Sequence, residues 1–120
     1  MKSKHKILVT GGGGMVGRKV IFGIKVSKKE LDITKSITIE KSIEKYKPDV
    51  ILHLAAFANM LGCEEDKIKA KRINVIGTEN IARACKKHNL NLVYMSTCAI
   101  FDGKKKTPYR EGDTAKPLNV

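Results

Sequence analysis

Apolar and polar residues fall in blocks of alternating period along this chain. Ile7-Leu8-Val9 is a short apolar run that reads, with Thr10, as a buried strand. A helical pattern follows from Met15 to about Phe22 and ends near Gly23. Ile24-Lys25-Val26 reads as a very short second strand. Ser36 to Tyr46 has helical spacing, with Ile39 and Ile43 on one face and Pro48 marking its end. Val50 to Leu54 is continuously apolar, as a strand buried on both faces should be. Glu65 to His88 reads as one long helix whose stripe is Ile73, Ile76 or Gly77, Ile81, Ala84 and Cys85. Leu92 to Ser96 is the next strand, and Asp102 to Val120 a polar loop rich in turn residues. This β-α-β-α-β alternation predicts an α/β fold: a doubly wound parallel sheet in three layers with right-handed crossovers. Such sheets bind ligands outside the carboxyl ends of their strands. That edge carries Thr10-Gly11, Ala55-Ala56 and Ser96-Thr97.

The stretch Val9-Thr10-Gly11-Gly12-Gly13-Gly14-Met15-Val16-Gly17 carries the most chemistry. A strand, a glycine turn and a helix start together make a phosphate-binding arrangement, because N–H groups and the helix dipole favour an anion there. The run fits two spacings: Gly12, Gly14 and Gly17 match G-x-G-x-x-G, and Gly11, Gly14 and Gly17 match T-G-x-x-G-x-x-G. Gly11 is expected to form the tight turn, Gly14 to let backbone approach a pyrophosphate, and Gly17 to let the helix pack on the strand. Thr10, Met15 and Val16 complete the expected cofactor-binding set. A flexible glycine loop without function would need neither the strand before it nor the helix after it.

Composition narrows the class. The chain has 120 residues, enough for one domain with a modest core, and 42% are hydrophobic. Its 24 Lys plus Arg against 12 Asp plus Glu give a net charge of +12, which raises the question of a polyanionic partner. The lysines are spread through every segment and do not group with aromatics on one element. That pattern describes a solvated surface, so no nucleic-acid partner is expected. Cys63, Cys85 and Cys98 are odd in number and form no C-x-x-C pair. Neither a disulfide framework nor a metal site is expected, and a reducing cytoplasm suits them. No apolar stretch approaches the roughly 18 residues of a membrane span, and the basic N-terminus does not read as a signal peptide.

Five stretches together resemble a known family. They are Ile7 to Gly11 with the glycines; Glu30-Leu31-Asp32-Ile33-Thr34; Lys47-Pro48-Asp49-Val50-Ile51-Leu52-His53-Leu54-Ala55-Ala56; Ile73-Asn74-Val75-Ile76-Gly77-Thr78; and Ser96-Thr97 through Phe101-Asp102-Gly103. Pro108-Tyr109-Arg110-Glu111 and Pro117-Leu118-Asn119-Val120 extend the likeness. The chain resembles the N-terminal part of extended short-chain dehydrogenases/reductases, in the branch of the dTDP-4-dehydrorhamnose reductases. The resemblance implies a Rossmann-like NAD(P)-binding domain over residues 1–120. It also implies reduction of a 4-keto-6-deoxy sugar nucleotide by hydride from NADPH or NADH. Asp32 and Ile33 would lie against the adenine, and Ala55 and Ala56 would line the nicotinamide ribose pocket. Thr97 would be the catalytic hydroxyl, and Asn74 a structural brace for the central strands. Lys25, Lys28 and Lys29 tilt the expectation toward NADP, whereas Glu30 is the nearest acid for the ribose of NAD. The resemblance implies a nucleotide-sugar substrate for a whole enzyme and leaves a homodimer open.

Three departures stand beside it. Cys98 and Ala99 replace the family's usual Asp and Tyr. Only 13 residues run from Gly17 to Glu30, so the first crossover is shortened. The family's catalytic Tyr with a Lys four residues on has no counterpart: Val50, Cys98 and Asp113 follow Tyr46, Tyr94 and Tyr109 at that spacing. The expected domain is therefore incomplete at its C-terminus, without the Tyr/Lys helix and the sugar-binding part. Two further readings stay open. One is a non-catalytic NAD(P)-binding regulator, resembling the regulatory subunit of methionine adenosyltransferase. The other is a fragment of a UDP-sugar epimerase or dehydratase.

Overall fold

A computed structural model describes residues 5–120. Four parallel strands form one sheet: β1 (Ile7–Thr10), β2 (Ile24–Lys25), β3 (Val50–His53) and β4 (Asn91–Tyr94), in the order β2-β1-β3-β4. Leu8 stands beside Ile24 and Ile51, and Ile51 beside Leu92. Side chains alternate across a strand, so this row shares one face. The helices α1 (Ser36–Tyr46) and α4 (Thr78–Lys87) cover that face. Leu8, Ile51, Ile39, Ile43, Ile81, Ala84 and Cys85 close its core. Glu40 of α1 clips the pair by accepting from Lys87 Nζ at 3.0 Å and pairing with His88 Nε2 at 2.7 Å. The helix α1 keeps the expected bounds. It stops because Lys47 enters the left-handed region (φ 46°), donating its N–H to Ile43 O just before Pro48.

The predicted parallel, doubly wound, Rossmann-like sheet with flanking helices is the observed fold. Its strand path runs one way from β1 to β2 and reverses through β3 to β4. With one handedness throughout, the first crossover must lie on the face opposite α1 and α4. There the expected helix from Met15 to Phe22 is not formed. Gly17–Lys19 makes a single 3₁₀ turn, and Val20 returns to extended backbone. Gly17, Val16, Val20 and Ile21 are poor helix formers. Four extended residues also traverse a four-residue strand as well as a helix of twice that number. The second face is consequently thinly covered. Val93 is 52% exposed, and Met95, Val16 and Phe22 are also exposed.

The expected long helix is also broken. It begins earlier, as α2 (Met60–Glu65), capped by Asn59 Oδ1 accepting from Gly62 N at 2.7 Å. It breaks at Asp66, whose carboxylate accepts from Lys69 N at 2.9 Å and starts α3 (Lys67–Ala70). Lys71–Gly77 is then wound as a π-helix before α4. The strand expected to extend to Leu54 ends at His53, and that expected over Leu92 to Ser96 lies at Asn91–Tyr94. Asp102 to Val120 forms no helix or strand. Among the described residues no helix is long and apolar enough to cross a membrane. Cys63 and Cys85 are buried free thiols and Cys98 an exposed one.

Candidate functional site

The carboxyl ends of β1, β2 and β3 open onto a cleft of about 590 Å³. Its floor is the glycine turn. Gly11 has φ 71°, and a Cβ there would come within 2.6 Å of Ala55 N. Only glycine fits so close a pass between the β1 and β3 ends. Gly14 N–H donates back to Gly11 O at 3.0 Å, closing the turn. A Cβ on Gly17 would lie 2.2 Å from Gly11 O. The tight packing of Gly17 is thus against the turn itself, in place of a helix packed on the strand. Because only a 3₁₀ turn follows, the expected contribution of a helix dipole is absent. What the turn offers an anion is backbone N–H groups at an open surface.

One wall is Leu31, Asp32, Ile33 and Thr34 with Ser27 and Lys28; the other is Leu54, Ala55 and Ala56, with Ile73 of the π segment. Among the expected residues, Gly11, Gly14, Asp32, Ile33, Ala55 and Ala56 meet around this cleft. Met15, which is 82% exposed, and Val16 and Gly17 lie outside its lining. Asp32 Oδ1 accepts from Thr34 N at 3.0 Å and Thr34 Oγ1 at 2.7 Å. The Thr34 hydroxyl above all holds the Asp32 carboxyl below the usual carboxylate range. This leaves Oδ2 without a partner among the described residues. Gly77 lets the π segment meet the first wall, since a Cβ there would lie 2.7 Å from Ile33 Cδ1. Asn74 braces the segment after β3: its Nδ2 donates to Phe57 O at 3.0 Å and its Oδ1 accepts from Phe57 N at 2.8 Å.

Behind the cleft lies a polar node. His53, the last residue of β3, is fully buried. Its Nδ1 is 2.7 Å from Thr10 Oγ1, and its Nε2 is 3.1 Å from Thr78 Oγ1 on α4. Ala55 N donates to Thr10 Oγ1 at 3.3 Å. Tyr94 stacks on the ring at 5.5 Å. Burial lowers the His53 pKa to about 4, so the imidazole is neutral near pH 7. Thr10 thus acts from beneath the floor. Sequence reasoning missed His53 and Thr78. A histidine in an apolar strand next to Ala55-Ala56 was the available signal.

Thr97 lies at the exposed end of the sheet, where its Oγ1 accepts from Ala99 N at 3.2 Å. It does not line the cleft. Tyr109 is engaged elsewhere: it stacks on Phe101 at 4.2 Å and donates its hydroxyl to Asp102 Oδ1 at 2.9 Å. Glu30 accepts from Lys45 Nζ and Tyr46 Oη, away from the cleft. No cluster of three metal-ligating side chains occurs among the described residues.

Residues 5–120 match the family profile of the RmlD substrate-binding domain. The chain belongs to the RmlD substrate-binding-domain family. A dTDP-4-dehydrorhamnose reductase of Aggregatibacter actinomycetemcomitans is 33% identical over 126 residues, covering 96% of this chain and 42% of that relative. The crystal structure of a dTDP-4-dehydrorhamnose reductase from Bacillus anthracis in complex with NADP superposes with a TM-score of 0.92 at 28% identity. It covers 99% of this chain and 45% of that one. A UDP-glucose 4-epimerase from Brucella ovis in complex with NAD reaches 0.81 at 27% identity, over 97% and 43%. This RmlD-family chain spans less than half the length of these relatives.

Proposed function

We propose that this chain is the NAD(P)-binding part of a reductase acting on a 4-keto-6-deoxy sugar nucleotide. The convergence of the Gly11–Gly14 turn, Asp32-Ile33 and Ala55-Ala56 on one cleft carries the reading. The residues fit a dinucleotide: the turn has no side chains to fill its cradle, Asp32 Oδ2 is available to an adenine amino group, and Ala55 and Ala56 leave room beside the turn. The relatives' names give the substrate class, a nucleotide sugar. When bound, the dinucleotide supplies the hydride. The protein's own work is to hold that donor and, through Thr97, to give a hydrogen bond to the carbonyl oxygen where negative charge develops. Thr97 Oγ1 accepts from Ala99 N, so its proton is available for that bond.

NADP is the favoured form. Ser27 and Lys28 line the cleft and offer a hydroxyl and a cation to a 2′-phosphate. Glu30, the acid that NAD would want, is held by Lys45 and Tyr46 instead. Cytoplasmic location and assembly as a homodimer complete the proposal.

Titration calorimetry with NADPH and NADH, on the parent and on Gly14→Val, tests the reading. Binding of both with NADPH the tighter is expected, and loss of both in Gly14→Val. A Cβ on Gly14 meets only Gly11 O, at 3.3 Å, so the variant should fold. A folded parent that gives no heat with either nucleotide overturns the reading. In the same samples, reduction of a dTDP-4-keto-6-deoxy sugar by residues 1–120 should be undetectable. Tyr109 is spent on Asp102 and no tyrosine has a lysine four residues on. Loss of such a general acid costs about 10²- to 10⁴-fold.

A further inference from the structure

The floor and one wall of the cleft meet over a buried histidine that lines neither. We propose that His53 is a positioning residue: seated against α4 by Thr78, it accepts from Thr10 and through that bond sets the gap between the glycine turn and the Ala55-Ala56 segment, and so the fit of a dinucleotide between them. The inference rests on the dinucleotide reading above.

The geometry runs through Thr10. Its hydroxyl is buried and already accepts from Ala55 N at 3.3 Å. Its own proton has one acceptor among its contacts, His53 Nδ1 at 2.7 Å. Nδ1 is therefore the acceptor, and by this inference Nε2 carries the proton and donates to Thr78 Oγ1 at 3.1 Å. The chain of bonds has one direction, from Ala55 N–H through Thr10 and His53 to α4. Each end matters. Thr10 directly precedes Gly11, which passes so near the start of the Ala55-Ala56 segment that a Cβ on it would lie 2.6 Å from Ala55 N. Thr78 directly follows Gly77, which meets Ile33 on the opposite wall. One neutral ring thus ties both walls to the floor. Tyr94 closes the remaining side by stacking, and no charged side chain hydrogen-bonds the ring.

Two substitutions separate the arms. In His53→Asn, Oδ1 falls where Nδ1 was and still accepts from Thr10, while Thr78 is lost. In His53→Gln, the amide nitrogen reaches toward Thr78, but a methylene faces Thr10. Thr10→Val removes the bridging hydroxyl at constant shape, and Thr10→Ser restores it. Each is measured for NADPH affinity, for thermal unfolding and for hydrogen exchange at the Ala55 amide. A buried polar group left unpaired weakens the state that holds it by about tenfold or more. Positioning predicts NADPH Kd within about threefold of parent for His53→Asn and Thr10→Ser, despite lower melting temperatures. It predicts Kd raised about tenfold for His53→Gln and Thr10→Val, with faster exchange at Ala55. Equal affinities across all four, or losses that simply follow melting temperature, overturn the proposal. If His53→Gln fails to fold, the Thr10 pair decides by the same criterion. If the parent binds no nucleotide, the dinucleotide reading falls, and exchange at Ala55 alone judges the gap. Parent-like exchange in Thr10→Val would then overturn it.

Discussion

At the scale of single residues, charge state and backbone shape matter more here than side-chain bulk. His53 is held neutral by burial, with its pKa lowered to about 4. An unfolded chain protonates this imidazole near pH 6.5, whereas the folded one does not. The unfolded state therefore binds the extra proton, and stability must fall as pH drops from about 6.5 toward 4. The slope approaches about 1.4 kcal/mol per pH unit, or about 2 kcal/mol lost between pH 7 and 5. The lowered carboxyls of Glu30, Asp32 and Glu40 are stabilising above their unfolded values and lose that contribution only below about pH 5. The upper window thus belongs to His53. Urea unfolding between pH 7 and 5 should show this loss in the parent and a flatter profile in His53→Asn. A parent whose stability is constant across that window would contradict a buried neutral ring.

At the scale of elements, what was legible in the sequence follows a simple division. The strand β1, the helix α1 and the glycine turn were readable because their signals are local: an apolar run, a 3.6-residue period ending at Pro48, and glycines between them. Met15 to Phe22 looked helical by its neighbours but is not, because the length of the crossover decides its path. The long helix hid two interruptions. Asp66 caps by its side chain, a role that periodicity does not register. The π winding of Lys71–Gly77 shifts the stripe, which is why Ile76 and Gly77 competed for one place; the structure buries Gly77 and exposes Ile76. Such winding is often found at functional sites, and here it brings Ile73 to the cleft and Gly77 to Ile33. Gly77→Ala should accordingly push on the Ile33 side chain, despite alanine's better helix propensity. Thermal unfolding should show destabilisation by about 1–3 kcal/mol, as for overpacking. A stabilised variant would mean that Ile33 yields freely. The cleft residues themselves were legible as six of the expected set. Thr10's indirect action, and the polar node behind it, were not, since a network joining β1, β3 and α4 exists only after folding.

At the scale of the molecule, the two faces of the sheet are unequal. One carries α1 and α4 over a closed core. The other presents Val93, Met95, Val16 and Phe22 beside the edge strand β4, which bears no charged residue. An uncharged, unpaired edge next to apolar surface favours association between copies. Against it stands a net charge of +12. At 0.01 M salt the repulsion reaches about 30 Å, and at 1 M only about 3 Å. Light scattering should therefore report an apparent mass that rises as salt is added, and Val93→Lys should suppress the rise. A mass independent of salt in the parent would show that the face is not adhesive. The lysine excess, which lines no single site, then has a colloidal consequence. It disperses a one-sided sheet in dilute electrolyte, and ionic strength becomes the variable that decides between a clear solution and a precipitate.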